Sequence, residues 1–111
     1  ALCALTASVY MAAMGPRGMR DAAEACFANA HYLAERITAL PGFDLVNSGE
    51  FFHEFVTSSP IRPEKLMSAL EEKNILGGLP VEGRILWCAT EMNTAEQIET
   101  LVSVIKEAVV R

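Results

Sequence analysis

Gly49-Glu50-Phe51-Phe52-His53-Glu54-Phe55-Val56-Thr57, then Leu76-Gly77-Gly78-Leu79-Pro80, then Arg84-Ile85-Leu86-Trp87-Cys88-Ala89-Thr90-Glu91-Met92 are the segments on which the fold of this chain turns. With the helical pattern between the first two, they read as strand, helix, glycine turn and strand in one unit. On the first strand, expected over 51–57, Phe51, His53, Phe55 and Thr57 share one face and Phe52, Glu54 and Val56 the other, because side chains alternate along a strand. Neither face is purely polar, so this strand belongs inside a sheet or at an interface. Ile85 to Ala89 is a continuous apolar run of strand length, expected to be covered on both faces.

The flanking segments extend this unit. Phe43 to Val46 is a short strand candidate, and Asn47-Ser48-Gly49 supplies turn chemistry before the next strand. Pro63 suits the first position of a helix, where its missing N–H would be unpaired in any case. That helix runs to about Lys73 with Leu66, Met67 and Leu70 inward, and Asn74 is placed to take a left-handed terminating conformation. Ile75-Leu76 is a candidate for a very short edge strand. Gly77 to Pro80 and Glu82-Gly83 read as turn. Thr94 and Gln97 form a capping box ahead of an apolar stripe at Ile98, Leu101, Val102, Ile105 and Val109.

Two helices precede the sheet. Gly15-Pro16-Arg17-Gly18 breaks the first, since proline removes a backbone donor and glycine permits a tight turn. The second carries Met19, Ala22, Ala23, Cys26, Phe27, Ala30, Leu33, Ala34 and Ile37 at three- and four-residue steps, one apolar stripe ending near Leu40. The first helix, from Ala1 to Met14, has no capping residue and no polar face, and reads as continuing from a longer protein whose upstream residues cover it. The element order predicts an α+β fold: a small mixed sheet with helices packed on one face and two leading helices.

Composition narrows the function. The chain has 111 residues, 51% of them hydrophobic and 21% charged, enough for one core. A net charge of -5 leaves no basic stripe to neutralise phosphates, which argues against nucleic acid and anionic membranes as partners. The apolar opening is shorter than the roughly 20 residues a bilayer-spanning helix needs. Cys3, Cys26 and Cys88 are odd in number and widely spaced, which fits buried free thiols in a reducing cytosol rather than a disulfide framework.

The chemical candidates are few. His53-Glu54 invites comparison with His-Glu-x-x-His, but Phe55-Val56-Thr57 supplies no second histidine and the segment is extended, so no metal site is expected. His31 reads as a helix-surface histidine. Gly77-Gly78 lacks the Gly-Lys-Ser/Thr ending of a phosphate loop; its glycines allow positive φ and close approach at a turn that could line a ligand cleft, with Glu91 facing it. Lys65, Lys73 and Lys106 each lie beside glutamates on expected exposed helix faces, not in the desolvated or cation-flanked setting that a Schiff-base amine needs.

Phe51-Phe52-His53-Glu54-Phe55-Val56, Asn74 to Pro80 and Leu86 to Met92 resemble the carboxy-terminal part of the glycine cleavage system P-protein, as do Ala30-His31-Tyr32-Leu33-Ala34 and the Met11 to Met19 region. His53 is more similar to the beta-type half, whereas Gly-Gly-Leu-Pro and Ala-Thr-Glu are nearer to subunit 1, the alpha-type subunit. The resemblance implies a glycine dehydrogenase (decarboxylating): glycine condenses with pyridoxal phosphate, loses carbon dioxide and passes its aminomethyl group to the lipoyl arm of H-protein. It implies the type I pyridoxal phosphate fold, with residues 1–40 as helices leading in from a large domain and 41–111 as the small carboxy-terminal domain. It also implies a partner subunit 2 that holds the cofactor lysine, and a cytoplasmic location. No catalytic or cofactor-binding residue carries over to this chain. His53, Glu54, Gly77, Gly78 and Glu91 stand as candidates for an interface or cleft. Two other readings stay open: the small domain of an aminotransferase, with Arg62 or Arg84 holding a substrate carboxylate, and a ferredoxin-like module that binds a small effector.

Overall fold

The computed structural model describes all residues, Ala1–Arg111. The chain opens with α1 (Leu2–Thr38), continues through β1 (Glu54–Thr57), α2 (Pro63–Glu71), β2 (Leu79–Val81) and β3 (Arg84–Cys88), and closes with α3 (Ala95–Val110). α1 consists of two arms, because Gly15 leaves the helical region at φ 70° and ψ 173° and Pro16 starts the next arm. Proline disfavours helical geometry at the residue before it, and glycine alone takes positive φ there without strain. The break expected over Gly15 to Gly18 is therefore confined to Gly15.

The two arms behave differently. Ala30, Leu33, Ala34 and Ile37 at the end of α1 are buried. Leu2, Leu5, Val9 and Tyr10 on the first arm are exposed. The radius of gyration, 15.8 Å, exceeds the roughly 13 Å of a compact chain of this length, and the long axis reaches 48 Å against 28 Å for the others.

The sheet order is β1-β3-β2, and both pairings are antiparallel. The expected mixed sheet is corrected here. A single strand after α2 would have returned parallel to β1; instead Leu79–Val81, expected as turn, forms the first leg of a hairpin, and the return leg β3 pairs with β1. The hairpin closes through Glu82 (φ 49°) and Gly83 (φ 78°), the paired positive φ values of a two-residue turn that matches strand twist.

Two other short strands do not form. In 43–46 only Leu45 bridges to Thr57, because Phe43 is drawn into the core at 1% exposure and the segment is turned. Ile75 closes α2 instead of pairing, and Leu76 is exposed. Asn74 takes φ 60° as expected, the Ile75 N–H donates to the Leu70 carbonyl and the Asn74 N–H to that of Glu71, a Schellman closure.

The core lies between one sheet face and the helices. Phe55, Thr57, Ile85 and Trp87 meet Leu66 and Leu70 of α2, the end of α1, and Ile98, Val102 and Ile105 of α3. On β3 burial alternates, with Ile85 and Trp87 inside, Leu86 half-buried and Arg84 and Cys88 exposed, so of the two faces expected to be covered these helices cover one. The helices form a single layer, and β1, expected over 51–57 either inside the sheet or at an interface, is an edge strand of four residues bridged on its outer side by Leu45, which leaves the interior placement out. The capping box at Thr94 is present, with the Gln97 N–H donating to Thr94 Oγ1 and the Thr94 N–H to Gln97 Oε1, both at 3.1 Å. No helix is long and apolar enough to cross a membrane.

Candidate functional site

β1 and β3 bring three chemically distinct side chains to one end of the sheet. Glu54 lies opposite Cys88 in the strand register, and the Ala89 N–H donates to the His53 carbonyl at 3.1 Å, which holds His53 beside that pair. One donor atom each from His53, Glu54 and Cys88 falls within 4.8 Å of the others. Glu54 and Cys88 are exposed and His53 is half-buried. The Cys88 thiol is pushed up from its ordinary value, first by partial burial and then by the Glu54 carboxylate. His53 and Glu54 are adjacent in sequence, but Cys88 joins them only through strand pairing.

Of the two roles expected for Gly77 and Gly78, close approach is present and positive φ is not. A Cβ on Gly78 would stand 2.5 Å from the Leu86 carbonyl oxygen, and one on Gly77 would stand 2.5 Å from Leu70 Cδ1. Gly77 lines a cleft of about 630 Å³, with Leu33, Trp87, Asn93 and Leu101 among its other walls. Glu91 turns away from it: its carboxylate accepts from the Cys26 thiol at 3.0 Å, and its N–H points back at the same sulfur at 3.3 Å. The shared proton raises the Cys26 thiol and lowers the Glu91 carboxyl.

The loop from Thr90 to Asn93 is tied to α1 by Asn29, whose Nδ2 donates to the carbonyls of Thr90 at 2.9 Å and Asn93 at 2.7 Å. Asn93 Oδ1 in turn accepts from the Thr90 N–H at 2.8 Å. Sequence reasoning missed both residues; the signal was a polar Asn29 set among small apolar neighbours of a helix. His31, expected as a helix-surface histidine, is half-buried on α1, where its imidazole stacks between Phe27 and Phe51 with ring centroids 3.8 and 4.1 Å away. On the far side of α1, Glu99 accepts from Arg36 Nε at 2.7 Å and from the Tyr32 hydroxyl, and these donors hold its carboxyl down at about 2.

Lys65, Lys73 and Lys106 are exposed and none lines the cleft; Arg62 precedes α2 and Arg84 sits in the hairpin, both exposed as well. A pyridoxal phosphate aldehyde needs a lysine amine in a cleft. The residues present do not fit that requirement, and no step of such chemistry is assigned to them.

Comparison with known proteins shows what the chain is similar to. The chain is 42% identical over 114 residues to the probable glycine dehydrogenase (decarboxylating) subunit 1 of Thermomicrobium roseum, across 96% of its own length and 25% of that protein. Its family likeness is to glycine dehydrogenase (decarboxylating) subunit 1. The same-named protein of Thermotoga petrophila is 43% identical over 110 residues, across 93% of this chain and 25% of its own. Among solved structures, an inhibitor-bound glycine decarboxylase (P-protein) of the glycine cleavage system superposes with a TM-score of 0.85 at 33% identity, over 90% of this chain and 24% of that one. The glutamate decarboxylase domain of a Vibrio parahaemolyticus protein superposes at 0.64 with 20% identity, a likeness of fold alone. No family model matches. The chain spans about a quarter of the length of the subunit 1 proteins it matches.

Proposed function

We propose that this chain serves as the small carboxy-terminal domain (41–111), with its leading helices (1–40), of a glycine dehydrogenase (decarboxylating) subunit 1. The complete assembly, with subunit 2, H-protein and pyridoxal phosphate, decarboxylates glycine in the cytoplasm and passes the aminomethyl group to the lipoyl arm. The observation that carries this reading is the superposition on glycine decarboxylase at a TM-score of 0.85, joined to 42% identity with a subunit 1 across 96% of the chain. The exposed lysines support assigning the cofactor's lysine to another chain.

In this reading the chain contributes framework. The second sheet face, with half-buried Val56 and Leu86 and exposed Leu79 and Val81, and the apolar first arm of α1 are surfaces for the rest of the subunit to cover. Of the interface candidates, half-buried His53 and exposed Glu54 stand at the sheet end, while Gly77 and Gly78 pack closely against Leu70 and β3 and Glu91 bonds to Cys26. The test is reconstitution. Full-length subunit 1 carrying this segment, mixed with subunit 2, pyridoxal phosphate and H-protein, is expected to exchange the carboxyl carbon of glycine with carbon dioxide, and absence of exchange overturns the reading. The chain alone is expected to yield no lysine adduct with the cofactor on borohydride reduction.

A further inference from the structure

The three donors at the end of the sheet are of three different kinds: an imidazole nitrogen, a carboxylate oxygen and a thiol sulfur. All lie within 4.8 Å of one another. Around a tetrahedral ion with metal–donor distances of about 2.0–2.3 Å, neighbouring donors stand about 3.3–3.8 Å apart. Closing the remaining ångström calls for side-chain rotation, for which the exposure of Glu54 and Cys88 leaves room. The backbone beneath is already set, with Glu54 and Cys88 paired across antiparallel strands and the Ala89 N–H bonded to the His53 carbonyl.

We propose that His53, Glu54 and Cys88 form a binding site for a borderline divalent cation of the zinc class. The donor set selects the ion: nitrogen and sulfur favour zinc over magnesium or calcium, which take oxygen. Three protein ligands leave a fourth tetrahedral position, filled by water or by a group from a docking neighbour. Binding forms the metal–sulfur bond as the Cys88 thiol loses its proton to the buffer, while His53 ligates as neutral imidazole and Glu54 as carboxylate. The bound ion would clip the start of β1 to the end of β3. This site does not rest on the subunit reading, and its test is indifferent to glycine chemistry.

The test is titration of the reduced full chain with Zn2+ followed by calorimetry, and with Cd2+ followed by the ultraviolet thiolate-to-cadmium charge-transfer band. The expected result is one ion per chain and one thiolate per Cd2+. Cys88→Ser abolishes the band, and His53→Ala and Glu54→Gln weaken Zn2+ affinity by a factor on the order of ten or more. Cys3→Ser and Cys26→Ser leave both signals unchanged. Circular dichroism verifies that each variant is folded, which the exposure of Glu54 and Cys88 favours. Absence of one-to-one binding overturns the proposal, as does binding that survives Cys88→Ser or disappears with Cys26→Ser.

Discussion

The indole of Trp87 donates a hydrogen bond to the hydroxyl of Thr57 at 2.9 Å inside the core, where Trp87 is 2% and Thr57 0% exposed. The two residues lie on neighbouring strands one step apart diagonally, Trp87 facing Phe55 and Thr57 facing Ile85. Each satisfies the other's buried polar atom, so the largest side chain of the core is oriented by a single bond.

Thr57→Val keeps the volume and removes the acceptor, leaving the indole N–H buried and unpaired. The expected cost is about 1–3 kcal/mol, read as a lower urea midpoint at unchanged m-value. Thr57→Ser, which keeps the acceptor, should lose less. Equal stability of the Thr57→Val variant and the parent would show that the bond contributes nothing.

Gly78 and Gly49 offer a matched pair. A methyl group at Gly78 meets the Leu86 carbonyl oxygen at 2.5 Å and Ile85 Cγ2 at 2.6 Å, whereas one at Gly49 meets nothing within 4 Å. Gly78→Ala must displace β3 and should cost about 1–3 kcal/mol, as overpacking does. Gly49→Ala should be neutral or slightly stabilising through the unfolded chain. Thermal unfolding of the two variants side by side decides it; equal losses would contradict the crowding at β3.

Glu99 titrates low, at about 2, because Arg36 and Tyr32 donate to it. Its folded value lies below the ordinary 4.5 of a free carboxyl, so its stabilisation is fully present above pH 4.5 and is lost as pH falls towards 2. Glu99→Gln should therefore lower Tm at neutral pH, with the difference from the parent shrinking between pH 4.5 and 2. The pair is half-exposed, so added salt should reduce the difference as well. A gap in Tm that stays constant down to pH 2 would assign the effect to packing instead.

Glu82 holds φ 49° in the β2–β3 hairpin without the local side-chain bonding that lets asparagine occupy this region. Glu82→Asn should stabilise the chain by a few tenths of a kcal/mol or more, up to about 1. A lower Tm for this variant would mean that the turn is not what limits the hairpin.

Much of this architecture is local and could be read along the chain. The break at Gly15, the capping box at Thr94, the left-handed Asn74 and the stripe ending in Ile37 each depend on residues within a turn or two of one another, where periodicity and capping chemistry act. The motifs around Gly77 and Trp87 also sufficed to indicate a likeness to the P-protein. The strand Leu79–Val81 escaped because its residues carry turn signals, Gly77-Gly78 before it and Pro80 within it, and edge position alone makes a proline tolerable there.

Tertiary structure decided which distant side chains meet. Antiparallel pairing put Cys88 beside His53 and Glu54, helix docking put Cys26 against Glu91 and Phe51 against His31, and the Leu79–Val81 hairpin turned an expected mixed sheet into an antiparallel one. Local sequence sets conformational preference over a few residues, through sterics and hydrogen bonds to near neighbours. The choice of partner across 30 or 60 positions comes from burying one shared core, which is a property of the whole chain.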